Sequence, residues 1–178
     1  MKPGIIVMSE LHGAVGVRLR EIQQRYDPRM AAELPPHITI TGSSGMGPIS
    51  PATTDEELRT ALTAVAASTP PFPIRFDPPM RFMQSTVVVM AIDPNGPIRA
   101  LHERIKASGL QYEQPRFTFT PHCTLSFYPE LSRDRLRELL RTRFYEPVMV
   151  DSIQAYRAID LTRTQKVLDL SLTASQAT

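Results

Sequence analysis

The chain has 178 residues, 42% of them hydrophobic and 21% charged, which is ordinary for a globular protein and enough for one domain with a real core. Twenty basic against eighteen acidic residues leave a net charge of +2, too little to mark a nucleic-acid binder by charge alone; a single cysteine, Cys123, excludes an internal disulfide and a cysteine-based zinc site. No apolar run is long enough to cross a bilayer and the first residues lack a signal-peptide pattern, so a monomer in a reducing cytoplasm, away from membranes, is the expectation.

Gly4–Leu11 (GIIVMSEL) reads as a first strand, and Gly13–Tyr26 follows with Val15, Leu19, Ile22 and Tyr26 at helical spacing. A strand around His37 comes next, then a Gly-rich stretch, GSSGMG at 42–47, expected to be a flexible loop at a rim. Thr54-Asp55-Glu56-Glu57 has the form of a capping box and opens a helix with Leu58, Leu62 and Val65 on its buried stripe. Pro73–Phe76 and Thr86–Ile92 read as strands, the second apolar enough to be central. Pro97 starts a helix carrying Ile98, Leu101 and Ile105, which Gly109 ends. After a strand around His122, Ser132 caps a helix with Leu136, Leu139 and Leu140 inside, and Pro147–Ala158 and Lys166–Leu172 close the chain as strands. The proline groups Pro70-Pro71-Phe72-Pro73 and Pro78-Pro79 read as stiff connections or edge-strand starts.

Two stretches carry the chemistry. RFTFTPHCTLSF, Arg116 to Phe127, alternates strictly: Arg116, Thr118, Thr120, His122, Thr124 and Ser126 are polar and the residues between them are not. That is the pattern of a half-buried strand with one polar face. LPPHITITG, Leu34 to Gly42, does the same with His37, Thr39 and Thr41. Aligned, Pro36-His37-Ile38-Thr39-Ile40 and Pro121-His122-Cys123-Thr124-Leu125 are both Pro-His-apolar-Thr-apolar, about half a chain apart. A given histidine meets that pattern by chance roughly once or twice in a thousand, so two hits among four histidines form a specific signal. Helix, His-strand, helix, strands recur in each half, roughly 1–95 and 96–175. No linker separates them, so 1–178 is expected to be one domain of two intertwined lobes, each placing one motif strand on a shared groove.

On a strand, residues i and i+2 stand side by side, about 6–7 Å apart. Two His-Thr pairs facing one another would offer two imidazoles and two hydroxyls. One neutral imidazole could take a proton from a nucleophile and one protonated imidazole could give a proton to a leaving oxygen. The hydroxyls could hold phosphoryl oxygens. Such a set needs no metal and no other cofactor. Two histidines alone are short of a usual metal site, and no carboxylate follows either motif. By alternation Cys123 points away from His122, as a small buried hydrophobe. His12 and His102 lack a threonine two residues on and read as surface or packing residues.

PHITI and PHCTL resemble the paired signature of the 2H phosphoesterase superfamily, named for its two His-x-Thr/Ser motifs, and within it the 2′-5′ RNA ligase, or RNA 2′,3′-cyclic phosphodiesterase, group. The resemblance spans most of the chain, including the first strand, the helix ALHERIKASG and the spacing between motifs. It implies an α+β fold, bilobal and pseudo-twofold, with duplicated antiparallel-sheet lobes, helices outside and a central groove. It also implies metal-independent opening of 2′,3′-cyclic phosphates on a small nucleotide or an RNA end. In some members it implies ATP-free joining of RNA ends by a 2′-5′ bond. His37, Thr39, His122 and Thr124 carry over as the catalytic four. Family members often continue the first motif into Phe-Leu-Gly and place an arginine after the second; here Thr41-Gly42-Ser43 and Ser126-Phe127 stand there. Substrate contacts must then come from elsewhere, and Arg116, Thr118, Thr120, Ser126, Tyr128, Phe82 and Gln84 are the candidates. A non-catalytic nucleotide- or RNA-binding module, or a phosphodiesterase for another cyclic phosphate, are the other readings of the same residues.

Overall fold

The computed structural model describes residues 4–82, 85–127, 131–159 and 163–174. Nine strands and five helices are found among them, in the order β1 (Ile5–Glu10), α1 (Gly13–Tyr26), α2 (Pro28–Glu33), β2 (His37–Thr41), α3 (Asp55–Ala67), β3 (Phe72–Ile74), β4 (Met80–Arg81), β5 (Val88–Ala91), α4 (Pro97–Lys106), β6 (His122–Ser126), α5 (Arg133–Leu140), β7 (Val148–Val150), β8 (Ser152–Ala158) and β9 (Thr164–Ser171). The strand pairs among them are antiparallel. The fold is therefore α+β with antiparallel sheets.

The sheets run β2-β1-β8-β9, β4-β5-β6 and β3-β7. β1 and β5 are the most continuously buried strands, and each has a partner on both sides, as such burial requires. Apart from the short α2, the order counted from β1 and from β5 is the same: strand, helix, motif strand, helix, short strand. The short strands that end it, β3 and β7, pair with each other. The chain also crosses over. β5 from the first half pairs with the second motif strand, β6, and β8 from the second half adds to β1.

The helices bury one stripe each. α3 lays Leu58, Leu62, Val65 and Ala66 inward and packs on β9 and α4; α4 buries Ile98, Leu101, His102 and Ile105 and packs on β2. α1 packs on β6. The capping box at α3 forms in full: Thr54 N–H donates to Glu57 Oε2 (2.8 Å) and Glu57 N–H donates to Thr54 Oγ1 (3.2 Å). Ser132 caps α5 as its sequence indicates, accepting from Arg135 N–H. One element, α2, lies outside the sequence expectations, and another, β4, meets the edge-strand reading of Pro78-Pro79. α2 is a short helix capped by Asp27, whose Oδ1 accepts from Met30 N–H at 3.0 Å, and β4 is a two-residue edge. Both are too short to show a period.

Three expectations need correction. The long polar strand from Arg116 does not form: β6 begins at His122. Arg116 and Phe117 instead bond to the loop after β2, through Arg116 N–H to Ser43 O (2.8 Å) and Gly45 N–H to Phe117 O (2.9 Å). Those same bonds remove the expected flexible loop. Met46 in it is buried, and Gly45 has φ +77° with its Cα pressed on the His102 ring, where a Cβ would lie 2.3 Å from Cε1. The last expected strand pair is also recut, since β7 and β8 divide Pro147–Ala158 between two sheets.

Candidate active site

β2 and β6 lie against each other without sharing a ladder, and they bring the two motifs together. Each strand is fixed by its apolar face. Ile38, Ile40, Cys123 and Leu125 are at most 1% exposed. Burying an Ile or Leu contributes about 1.5–3 kcal/mol, so a one-residue slip would lose these and bury an imidazole instead. His37, Thr39, His122 and Thr124 stay half-buried on the other face.

The register is the same in both. His37 stands opposite Glu10 and Thr39 opposite Met8, with a bulge before Thr41 opposite Val7. His122 stands opposite Ala91 and Thr124 opposite Val89, with a bulge before Ser126 opposite Val88. The extra residue is Ile40 in one strand and Leu125 in the other. Bulges re-aim side chains and end regular pairing, and here each ends the His-x-Thr row at its threonine.

Both rings are held in the same way. His37 Nδ1–H donates to Pro35 O and His122 Nδ1–H to Thr120 O, each at 2.7 Å and each two residues back. A carbonyl only accepts, so Nδ1 carries the proton in both rings and Nε2 is left for chemistry. The prolines between explain the anchor. Pro36 and Pro121 have no N–H to lose, hold the residue before them extended, and use their own carbonyls to accept from Leu11 N–H (2.8 Å) and Ile92 N–H (3.1 Å).

Burial lowers the pKa of both histidines. For His37 the bond to Pro35 opposes this, the charge of His122 lowers it further, and Glu10 raises it. The packing of β2 against β6 brings the two motif strands into one locality. Cys123 lies behind them, its thiol fully buried and pushed up to about 12 by burial, with the His37 backbone N–H pulling the other way. It is a packing residue, not a nucleophile. Among the described residues no three His, Cys, Asp or Glu side chains gather closely enough to hold a metal ion.

The sequence between residues 11 and 160 matches the family model described as the 2′-5′ RNA ligase superfamily. The chain belongs to that superfamily. Two curated relatives bear the name "Putative phosphoesterase": one from Geobacillus thermodenitrificans, 32% identical over 106 residues, and one from Bacillus pumilus, 31% identical over 121. The matches cover 58% and 67% of this chain, and the chain spans 57% and 66% of the length of those relatives. Among solved structures, E. coli LigT complexed with 3′-AMP superposes with a TM-score of 0.61 at 16% identity, covering 97% of this chain and 98% of LigT. TT0787 of Thermus thermophilus gives 0.64 at 17%, covering 94% and 97%. At these identities the likeness is one of fold, and it extends to almost the whole of each chain.

Within this 2′-5′ RNA ligase-type fold the other candidate residues separate. Phe82 lies beside a motif ring: its ring centroid is 4.7 Å from that of His122. Thr120 serves through its carbonyl, and its hydroxyl donates to Thr118 O (3.2 Å). Arg116 and Thr118 are exposed on the irregular segment before β6, off the motif strand. Ser126 is a correction. It is fully buried, with its Oγ 3.4 Å from Asp27 Oδ2, because the bulge at Leu125 breaks the alternation that would have turned it to the groove. Thr41, at the matching place in β2, is equally buried and accepts from Val7 N–H at 3.0 Å. Tyr128 and Gln84 lie outside the described residues.

Several supporting residues carry no sequence signal of their own. Gln23 on α1 donates to Thr124 O (2.8 Å), and His102 on α4, stacked on Phe119, donates from Nδ1 to Ile40 O (2.8 Å). Each helix thus braces the backbone of the other half's motif strand. Gly42 sits against the Thr39 methyl, where a Cβ would come within 2.8 Å.

Proposed function

We propose that this chain is a phosphodiesterase that opens 2′,3′-cyclic phosphate ends of nucleotides or RNA without a metal, using His37, Thr39, His122 and Thr124. The observation that carries this reading is the matched anchoring of the two rings. Identical carbonyl bonds at Nδ1 leave an Nε2 on each of two adjacent strands, with a threonine beside each. A neutral ring so held has a lone pair at Nε2 and accepts a proton; a charged one has an N–H there and donates.

In the reaction, water attacks the cyclic phosphorus as one Nε2 takes its proton. The bond from phosphorus to one ribose oxygen breaks, and the other Nε2–H gives its proton to that oxygen. The product is a phosphomonoester, and one further proton exchange with solvent restores both rings. The threonine hydroxyls donate to the non-bridging oxygens, where the charge is greatest. Phe82, tilted by 35° beside the His122 ring, would offer an aromatic face to a nucleobase or ribose. With a ribose 5′-hydroxyl in place of water as the attacking group, the same ring opening, with the bond from phosphorus to the 3′-oxygen breaking, would join ends by a 2′-5′ bond.

The test is incubation with 2′,3′-cyclic nucleotides, and with an RNA ending in a cyclic phosphate, in excess chelator. Turnover that persists supports the reading. Binding without turnover would make the chain a nucleotide- or RNA-binding module, and activity confined to some other cyclic phosphate would move the substrate.

A further inference from the structure

The two imidazoles are alike in anchor, register and neighbouring threonine, but they differ in the residue opposite. His37 faces Glu10 and His122 faces Ala91. Since Leu11 N–H bonds Pro36 O, Glu10 and His37 form a non-hydrogen-bonded pair, the kind in which side chains come closest.

Glu10 is only 8% exposed, and its carboxylate is gripped by strands on the side of β1 away from β2. Tyr156 Oη–H on β8 donates to Glu10 Oε1 at 2.6 Å, and Lys166 Nζ on β9 reaches the same oxygen at 2.6 Å. Gln154 on β8 accepts from Glu10 N–H (2.9 Å) and donates to Asp169 Oδ1 (2.9 Å), while Lys166 also reaches Asp169 at 3.4 Å. The grip shows in the partners. Tyr156 is raised to about 12, by burial first and then by its bond to Glu10. Burial would lower Lys166, but the bond to Glu10 raises it instead. The charged groups that act on His37 are Glu10 from β1 and His122 from β6, while Cys123 from β6 lies by its backbone. Tyr156 from β8 and Lys166 and Asp169 from β9 stand behind Glu10 in one network, and on the helices Arg20 of α1 bonds Leu34 O and His102 of α4 bonds Ile40 O. Of these acids, Glu10 is the one directly across from the ring.

We propose that Glu10, fixed by Tyr156 and Lys166, is a positioning residue that stabilises positive charge on His37 and so makes the two histidines unequal. The inference rests on the proposed phosphodiesterase reading for its kinetic consequence, but not for its electrostatic one. A buried carboxylate beside a ring that must carry a proton during the cycle favours the charged form of that ring. The corresponding place opposite His122 holds Ala91, and the ring beside it is that of Phe82.

The experiment is an NMR titration of the two imidazoles, with the pH profile of kcat/KM alongside, in wild type, Glu10→Gln and Ala91→Glu. Glu10→Gln keeps the shape and removes the charge. The His37 midpoint should move to lower pH while His122 stays, one limb of the profile should move with it, and kcat/KM should fall about tenfold, well short of removing the ring. Ala91→Glu should move His122 to higher pH, which needs no loss of the native network and so guards against misfolding of the first variant. Unmoved midpoints in both variants, or equal movement of both rings in either, would overturn the proposal. Wild type without turnover but with these shifts would instead overturn the phosphodiesterase reading alone.

Discussion

The β1–β2 ladder and the β5–β6 ladder are built alike around their histidines and differently around their supports. In both, the ring bonds a carbonyl two residues back, the threonine follows at two, and a bulge ends the row. Beyond that, the first carries Glu10 with its Lys166 and Tyr156 partners, where the second has Ala91 and the Phe82 ring. The brace also differs: His102 holds Ile40 O in one and Gln23 holds Thr124 O in the other. Under the proposed function, the common features are those that two Nε2 atoms would need to meet one phosphate. The differences lie a layer further out, where they can adjust each ring without moving it.

The largest expected effect tests what is common. His37→Ala and His122→Ala should each lower kcat/KM by about 10²–10⁴-fold, the range for a proton-transfer group, with an unchanged circular dichroism spectrum because both rings are half-buried. A large loss at one and near-normal rates at the other would break the equivalence. Thr39→Val and Thr124→Val should each cost about 10²-fold, mainly in kcat, since they remove a donor to the charged oxygens. Gly42→Ala should give a smaller loss confined to the Thr39 side, because its Cβ would press on the Thr39 methyl; comparing it with Thr39→Val separates position from chemistry.

The smallest effect on rate, and the clearest on stability, concerns His102. Its ring is 2% exposed, and His102→Ala leaves Ile40 O without its donor, a loss of about 1–3 kcal/mol in denaturant unfolding. The pH dependence has a definite sign. Burial lowers His37, His102 and His122 in the folded chain, whereas the unfolded chain titrates near 6.5. Between those values the unfolded state binds more protons. Stability is therefore full above about pH 6.5 and declines as pH falls toward the lowered values. His102→Gln should flatten that decline; a melting temperature that falls just as steeply in the variant would assign the sensitivity elsewhere.

Much of this was visible in the sequence, for reasons that particular residues make plain. The Pro-His-x-Thr repeat marks both motif strands because strand alternation puts His and Thr on one face whatever surrounds them. The helix at Thr54 and the one at Pro97 announced themselves by caps and period. Ser126 misled because a bulge leaves no trace in alternation: RFTFTPHCTLSF keeps its polar beat on paper while the backbone gains a residue at Leu125. The loop at 42–47 misled in the opposite way, since glycines that signal freedom in sequence here permit close approach to His102 and Glu113. Glu10 had no sequence signal at all. Its meaning depends on β8 and β9, more than 140 residues away, folding back beside β1.

The central claim is that both imidazoles serve a single phosphorus. It is tested most directly by titrating the isotopically labelled protein with 3′-AMP and following the Nε2 resonances of His37 and His122. Both should move together, along one binding curve with a stoichiometry of one. Movement of only one ring, or of the two along separate curves, would contradict it.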